Sequence, residues 1–313
     1  MGSPTALPLP DGSGVRPLSP CPSVSRSARL PCGPSITSMW KDRRVIVTGG
    51  TAGFGLVLAR HLATAGARVL VVGRSAEGVR VALAACDRVG LDVRGLSADL
   101  GRAGEGERVA AEGRRILGGI DDLVCCVGRS GRHRMLTTPP DELRGFLDAN
   151  LFAAVEIVQA AAADIAAARG HVVFIGSLAG KLAAPYMGPY GVAKAALAAY
   201  ADAVRLELAP RGGHVLLVSP GPIARAADDP AADRDTDRYA ADVARASLPA
   251  EAAAPGGSAQ LRRLDPDRLA GQVLAACARR RSELVVPRSA AILAGLIDWF
   301  PEVGRRILAR FTG

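Results

Sequence analysis

The chain has 313 residues, of which 49% are hydrophobic, and carries a formal net charge of +9 from 39 Lys and Arg against 30 Asp and Glu. This composition excludes wholesale disorder, and the length suits one large domain or two small ones with a core that needs no disulfide or metal. The charge is dispersed: residues 1–40 hold +2, residues 279–313 hold +4, and the long body between keeps only +3, so no basic stripe points to nucleic acid. The six Cys (Cys21, Cys32, Cys86, Cys125, Cys126 and Cys277) form no Cys-x-x-Cys pair and no metal-spaced cluster. They read as free thiols of a reducing cytosol, hence a cytoplasmic location, with adjacent Cys125 and Cys126 pointing to opposite faces of a strand.

Residues 1–38 are rich in Pro, Ser and Gly without periodicity, and they lack the apolar run of a secretory signal. They are expected to form a disordered leader, or an over-extended start upstream of Met39. From Arg43 onward short apolar runs alternate with helical stretches. The runs are Val45–Thr48, Val69–Gly73, Val93–Leu96, Leu123–Val127, Val172–Ile175, Val215–Val218 and Leu284–Val286. Helices are predicted near 54–66, 76–89, 104–118, 141–168, 189–209 and 266–280. This pattern predicts a single α/β domain over 39–287, a Rossmann-type doubly wound parallel sheet of seven strands flanked by helices. Residues 222–262, rich in Asp, Ala and Pro, read as a mobile insertion. Residues 288–313 read as an amphipathic, basic extension. No run reaches about 18 uninterrupted apolar residues, so no spanning helix is expected.

The first strand runs into Thr48-Gly49-Gly50-Thr51-Ala52-Gly53-Phe54-Gly55, and a helix follows. Gly at 49, 53 and 55 allows a tight turn and close approach of a diphosphate to the backbone and the helix N-terminus. An ordinary Gly-rich loop is the alternative. The second strand ends at Arg74-Ser75 with no acid before Glu77. An acid here would hold a ribose 2′-hydroxyl, whereas Arg suits a 2′-phosphate, so NADP(H) is expected ahead of NAD(H). Asp99 can approach the adenine or cap the next helix.

Tyr190 and Lys194 lie four apart and share a helix face. An ammonium beside a phenol favours the phenolate, giving a group able to exchange a proton with a carbonyl or alcohol oxygen. Only three Lys occur in the chain, Lys41, Lys181 and Lys194. Ser177 follows the strand 172–176, at the end where ligands bind in open parallel sheets; it either orients a carbonyl or caps a turn. Asn150 is an unfavourable residue inside a helix, which points to a bound water in a proton relay or to a backbone-bonded Asn.

Taken together, Thr-Gly-x-x-x-Gly-x-Gly, Asn150, Ser177, Tyr190-Gly191-Val192-Ala193-Lys194 and Pro220-Gly221 resemble the short-chain dehydrogenases/reductases over about residues 41–286. The resemblance implies that Tyr190 is the general acid/base, that Lys194 lowers its pKa and holds the ribose, that Ser177 orients the substrate and that Asn150 supports a water relay. It implies cofactor contacts from Thr48, Gly49, Thr51, Gly53, Phe54, Gly55, Arg74, Ser75, Asp99, Gly128, Tyr190, Lys194, Pro220, Gly221 and Ile223. It also implies a homodimer or homotetramer through Ala-rich helices around 149–168 and 193–209. Two positions depart from the family. Cys125-Cys126-Val127-Gly128 replaces the usual Asn-Asn-Ala-Gly, and Ala224-Arg225 stands where a Thr often contacts the nicotinamide.

The expected reaction is interconversion of a small-molecule ketone and secondary alcohol. A non-catalytic NADP(H)-binding scaffold is the rival reading. The basic run Arg129, Arg132, His133 and Arg134 at the expected rim either attracts an anionic substrate or is a solvated loop. The extension Ile292–Phe300 and Arg305–Phe311 suits a membrane surface, a helix over the cleft or a partner subunit. Lipid-handling relatives such as 3-ketodihydrosphingosine reductases resemble this chain in carrying sequence beyond the last strand, which suggests a lipophilic 3-keto substrate such as a 3-keto lipid or 3-oxoacyl compound, in lipid metabolism.

Overall fold

Val45, Ile46 and Val47 have no exposed face, and the same holds for Leu70 and Val71 beside them. Strands this uniformly apolar need helices on both sides. The computed structural model, which describes residues 36–226, 229, 234–254, 256 and 262–312, supplies them. Its strands are β1 (Arg44–Thr48), β2 (Arg68–Gly73), β3 (Val93–Ser97), β4 (Asp122–Cys125), β5 (His171–Ile175), β6 (His214–Pro220) and β7 (Glu283–Val286). They form one parallel sheet in the order β3-β2-β1-β4-β5-β6-β7. The expected seven-stranded doubly wound fold is therefore present.

The helices are α1 (Ile36–Trp40), α2 (Gly53–Thr64), α3 (Ala76–Asp87), α4 (Glu105–Leu117), α5 (Pro140–Leu147), α6 (Ala153–Ala167), α7 (Gly188–Leu208), α8 (Arg234–Arg245), α9 (Pro266–Ala278), α10 (Arg288–Trp299) and α11 (Pro301–Thr312). One core unites Leu56, Leu58 and Leu62 of α2 with Val273 and Cys277 of α9 against one face of the sheet. The other unites Val109 of α4, Ile157 and Ile165 of α6 and Leu197 of α7 against the opposite face. Cys125 belongs to the second core and Cys126 packs on the first, so the adjacent thiols do face opposite ways. The run Pro140–Ala167 is by length and composition alone long and apolar enough to cross a membrane, although polar residues interrupt it as expected. Ile157, Ala161 and Ile165 within it are fully buried in the second core.

The order reverses between β1 and β4, and the C-terminal strand ends there open a crevice. The opposite ends are closed by charge. Asp122 accepts two bonds from Arg43 at 2.7 Å and two from His171, through its backbone N and Nδ1, at 2.8 Å.

The expected leader lies outside the described residues except for 36–38, which open α1. The segment 222–262, read as a mobile insertion, carries α8 and a short turn at Ala250–Ala253. Residues 227–228, 230–233, 255 and 257–261 lie outside the described set.

Candidate active site

The turn after β1 takes its shape from three glycines. Gly49 adopts φ +66°, and a Cβ there would meet the Cys126–Val127 backbone at 2.9 Å. A Cβ on Gly55 would lie 2.2 Å from the Gly49 carbonyl oxygen. The chain after β4 thus packs directly on the glycine turn, with the Cys126 N–H donating to the Thr48 carbonyl at 3.0 Å. Helix α2 begins at Gly53 behind Ala52, which provides no capping side chain. Its N-terminus faces a cleft of about 1840 Å³.

That cleft gathers most of the predicted residues: Gly49, Thr51, Gly53, Phe54, Gly55, Arg74, Asp99, Gly128, Asn150, Ser177, Tyr190, Lys194, Pro220, Gly221 and Ile223 all line it. Thr48 and Ser75 do not. The Thr48 hydroxyl is buried and donates to the Val124 carbonyl, and the Ser75 hydroxyl accepts from Gly78 N–H as the N-cap of α3. Asp99 is not the cap of α4, a position taken by Gly104; its carboxylate accepts from Gly101 N–H at 3.2 Å.

Lys194 is buried on α7 and donates from Nζ to the Ile175 carbonyl at 2.9 Å. Its Nζ lies 5.9 Å from the Tyr190 ring centre. Burial disfavours the ammonium and pushes Lys194 down to about 8. Asn150 sits in a widened turn, Asp148–Phe152, between α5 and α6. Such single-turn bulges recur at functional sites. Its Nδ2 donates to the Arg129 and Phe146 carbonyls at 2.9 Å each, while its buried Oδ1 has no hydrogen-bond partner. Gly128 shows where that oxygen points. A Cβ on Gly128 would stand 2.5 Å from Asn150 Oδ1 and 3.3 Å from Lys194 Nζ. The two groups flank one small space. Ser177 lies two residues beyond β5 and accepts from Ala179 N–H at 3.2 Å, so it caps a turn and lines the cleft at once.

A family model described as short chain dehydrogenase matches residues 43–235. The chain belongs to that family. It is similar to the cattle protein named Dehydrogenase/reductase SDR family member 4 (32% identity over 208 residues, 66% of this chain and 75% of the relative). It is also similar to cattle Dehydrogenase/reductase SDR family member 7B (30% over 249 residues, 77% of this chain and 72% of the relative). Human Dehydrogenase/reductase SDR family member 2, mitochondrial, is 32% identical over 181 residues, covering 58% of this chain and 65% of the relative. Members of this family are oxidoreductases acting on CH–OH groups with nicotinamide cofactors.

Within this short-chain dehydrogenase the basic run after β4 divides: Arg129 and Arg134 stay exposed, with Arg129 lining the cleft, whereas Arg132 and His133 turn inward. Arg132 is fully buried; it donates to the Ala252 and Ala254 carbonyls at 2.7 and 3.1 Å and stacks 4.0 Å from the Tyr239 ring centre. Arg129 pairs with Glu142 at 2.8 Å, and His133 packs edge-on against Phe146. The partners of Arg132 arrive from segments 110 and 120 residues later, whereas that of Arg129 lies 13 residues on. Burial raises the Cys126 thiol to about 12, which keeps it protonated and inert at neutral pH. Several cleft residues of the dehydrogenase escaped sequence reasoning, namely Leu182, Met187, Tyr239 and Arg263. Ile292, Leu293, Leu296, Ile307 and Leu308 also line it, so α10 and α11 form an apolar wall. Their spacing of three and four was the available signal.

Proposed function

We propose that this protein is an NADP(H)-dependent reductase and dehydrogenase of lipophilic ketones and secondary alcohols, with Asn150, Ser177, Tyr190 and Lys194 as its catalytic set. The observation that carries this reading is the space at Gly128, where the unsatisfied Asn150 Oδ1 and the buried Lys194 ammonium converge behind Tyr190. An orphaned buried acceptor beside a cation suits a bound water.

The glycine turn and the α2 N-terminus suit a diphosphate, because the turn packs too closely for side chains at 49 and 55 and leaves backbone facing the cleft. Arg74 is exposed at the end of β2, lines the cleft and forms no ion pair among the described residues. Glu77, the nearest acid, is paired with Arg80 at 2.6 Å. Both facts favour a 2′-phosphate over a bare ribose. NADP(H), when bound, supplies or accepts the hydride. Ser177 and Tyr190 hold the substrate oxygen between them. Tyr190 gives its proton to that oxygen during reduction and takes it back during oxidation. Lys194 stabilises the phenolate that remains, and Asn150 anchors the water that returns the proton.

The α10–α11 wall supports an apolar substrate. These helices also expose Ile292, Trp299, Phe300 and Val303, with Arg305, Arg306 and Arg310 among them. The combination fits an anionic lipid surface. Trp299 reports it directly, since the other Trp, Trp40, is buried. Its emission should shift to the blue with phosphatidylserine-containing vesicles; an unshifted spectrum would remove membrane contact. Exposed Phe152, Val192 and Leu206 lie at or on the helices through which we propose the protein self-associates.

The test of function is NADPH consumption over ketones of graded chain length. Turnover should rise with apolar length, and Arg74→Ala should erase the preference for NADPH over NADH. Absence of turnover across the series would remove the reading.

A further inference from the structure

Helix α2 has no cap of its own at Ala52, yet its first N–H group is occupied. Asp229, 176 residues later, accepts from Gly53 N–H through Oδ2 at 3.0 Å. The same oxygen takes Nη1 of Arg225 at 2.7 Å. The Asp229 side chain is 2% exposed, so this is a carboxylate sunk into the turn rather than a surface pair. Arg225 is less buried, at 28% exposed, but its guanidinium reaches the same turn. A Cβ on Gly53, where φ is +56°, would lie 2.8 Å from its Nη1. Arg225 is held from behind as well. The preceding residues pair with Leu264, Ala224 N–H donating to its carbonyl at 2.8 Å and the Leu264 N–H donating to the Pro222 carbonyl at 2.7 Å.

The Gly53 turn is also where the reading above seats the cofactor diphosphate, and the present inference rests on that reading. Two anions cannot share one N–H donor and one guanidinium without strong repulsion in so buried a position. One must leave. Arg225 is anchored by the Leu264 pairing and lines the cleft, whereas Asp229 lies four residues beyond it.

We propose that Arg225 and Asp229 form a charge-exchange latch on the phosphate turn: Asp229 holds the Gly53 N–H and the Arg225 guanidinium until a diphosphate takes both. Arg225 is then a cofactor-binding residue, and Asp229 stands in for the ligand in the free protein. The carboxylate sets a threshold for entry, so only an anion richer in charge and acceptors displaces it.

The experiment is equilibrium titration of the full chain with inorganic pyrophosphate and, separately, with NADPH followed by its fluorescence. Wild type is compared with Asp229→Asn, Asp229→Ser, Arg225→Gln and Arg225→Lys. Removing the competing charge should tighten both ligands by about tenfold, and removing the guanidinium should weaken both by about tenfold, with Lys between. Asp229→Ser keeps a helix-capping oxygen without charge, so it reads the latch even where Asn disturbs α2. Weaker binding in both Asp229 variants, or unchanged binding in Arg225→Gln, overturns the latch. Pyrophosphate that follows the expected order while NADPH fails to bind overturns the dinucleotide reading and leaves the latch standing. NADPH bound equally by all five proteins does the reverse, and no binding of either ligand overturns both.

Discussion

At the scale of single residues, Lys194 decides how the site responds to pH. Burial lowers it from the ordinary lysine value to about 8, so it is charged below that value and neutral above it. In the proposed reaction reduction needs a cationic Lys194 behind Tyr190, and that charge is lost as pH rises. The kcat/KM for reduction should therefore fall about tenfold per pH unit above pH about 8. Initial rates between about pH 6 and pH 10 check this, and a flat alkaline limb would separate Lys194 from the chemistry. Asn150 and Gly128 show why such a site is partly legible in a sequence. Asn is unfavourable inside a helix, which marked position 150, but the widened turn that aims its oxygen depends on packing that no local pattern records.

At the scale of elements, short-range devices were legible and long-range ones were not. Strand, glycine turn and helix follow one another within residues 44–64, so their grouping is local. Arg132 is the opposite case. Its run of basic neighbours suggested a loop in solvent, but its partners are Asp242, Ala252 and Ala254, brought over from α8 and the turn after it. It clamps the segment that follows β6 against the loop that follows β4. Replacing it with Met keeps the apolar stem and leaves buried carbonyls unsatisfied, at a cost of about 2–4 kcal/mol. Arg132→Met should lower the thermal midpoint and speed amide exchange through residues 234–254. Exchange unchanged there would show that the clamp holds nothing. The apolar wall of α10 and α11 was legible as amphipathic helix with a place over the cleft as one of three alternatives, because periodicity names a buried stripe without naming what covers it.

At the scale of the molecule, the sheet separates two ends with different tasks. The C-terminal strand ends open onto the cleft, while the N-terminal ends hold the Arg43–Asp122–His171 cluster with His214 beside it, ring centres 5.1 Å from His171. Burial pushes His214 down to about 4, so between pH about 6.5 and about 4 the unfolded chain binds a proton that the folded one refuses. Stability therefore falls as pH drops through that window. Asp122, held below the usual carboxylate range by its His171 and Arg43 bonds against the opposing effect of burial, stays ionised across it and adds nothing there. The urea midpoint should drop between pH 7 and pH 5 (about two units) in wild type and drop less in His214→Asn. Equal losses would assign the acid sensitivity elsewhere. In the proposed reaction Tyr190 exchanges the proton while the glycine turn and Arg74 hold the cofactor, and Tyr190→Phe separates the two. NADPH titration and ketone turnover should be measured on the same preparation of this variant. The account predicts binding close to wild type with turnover abolished; substantial remaining reductase activity would contradict it.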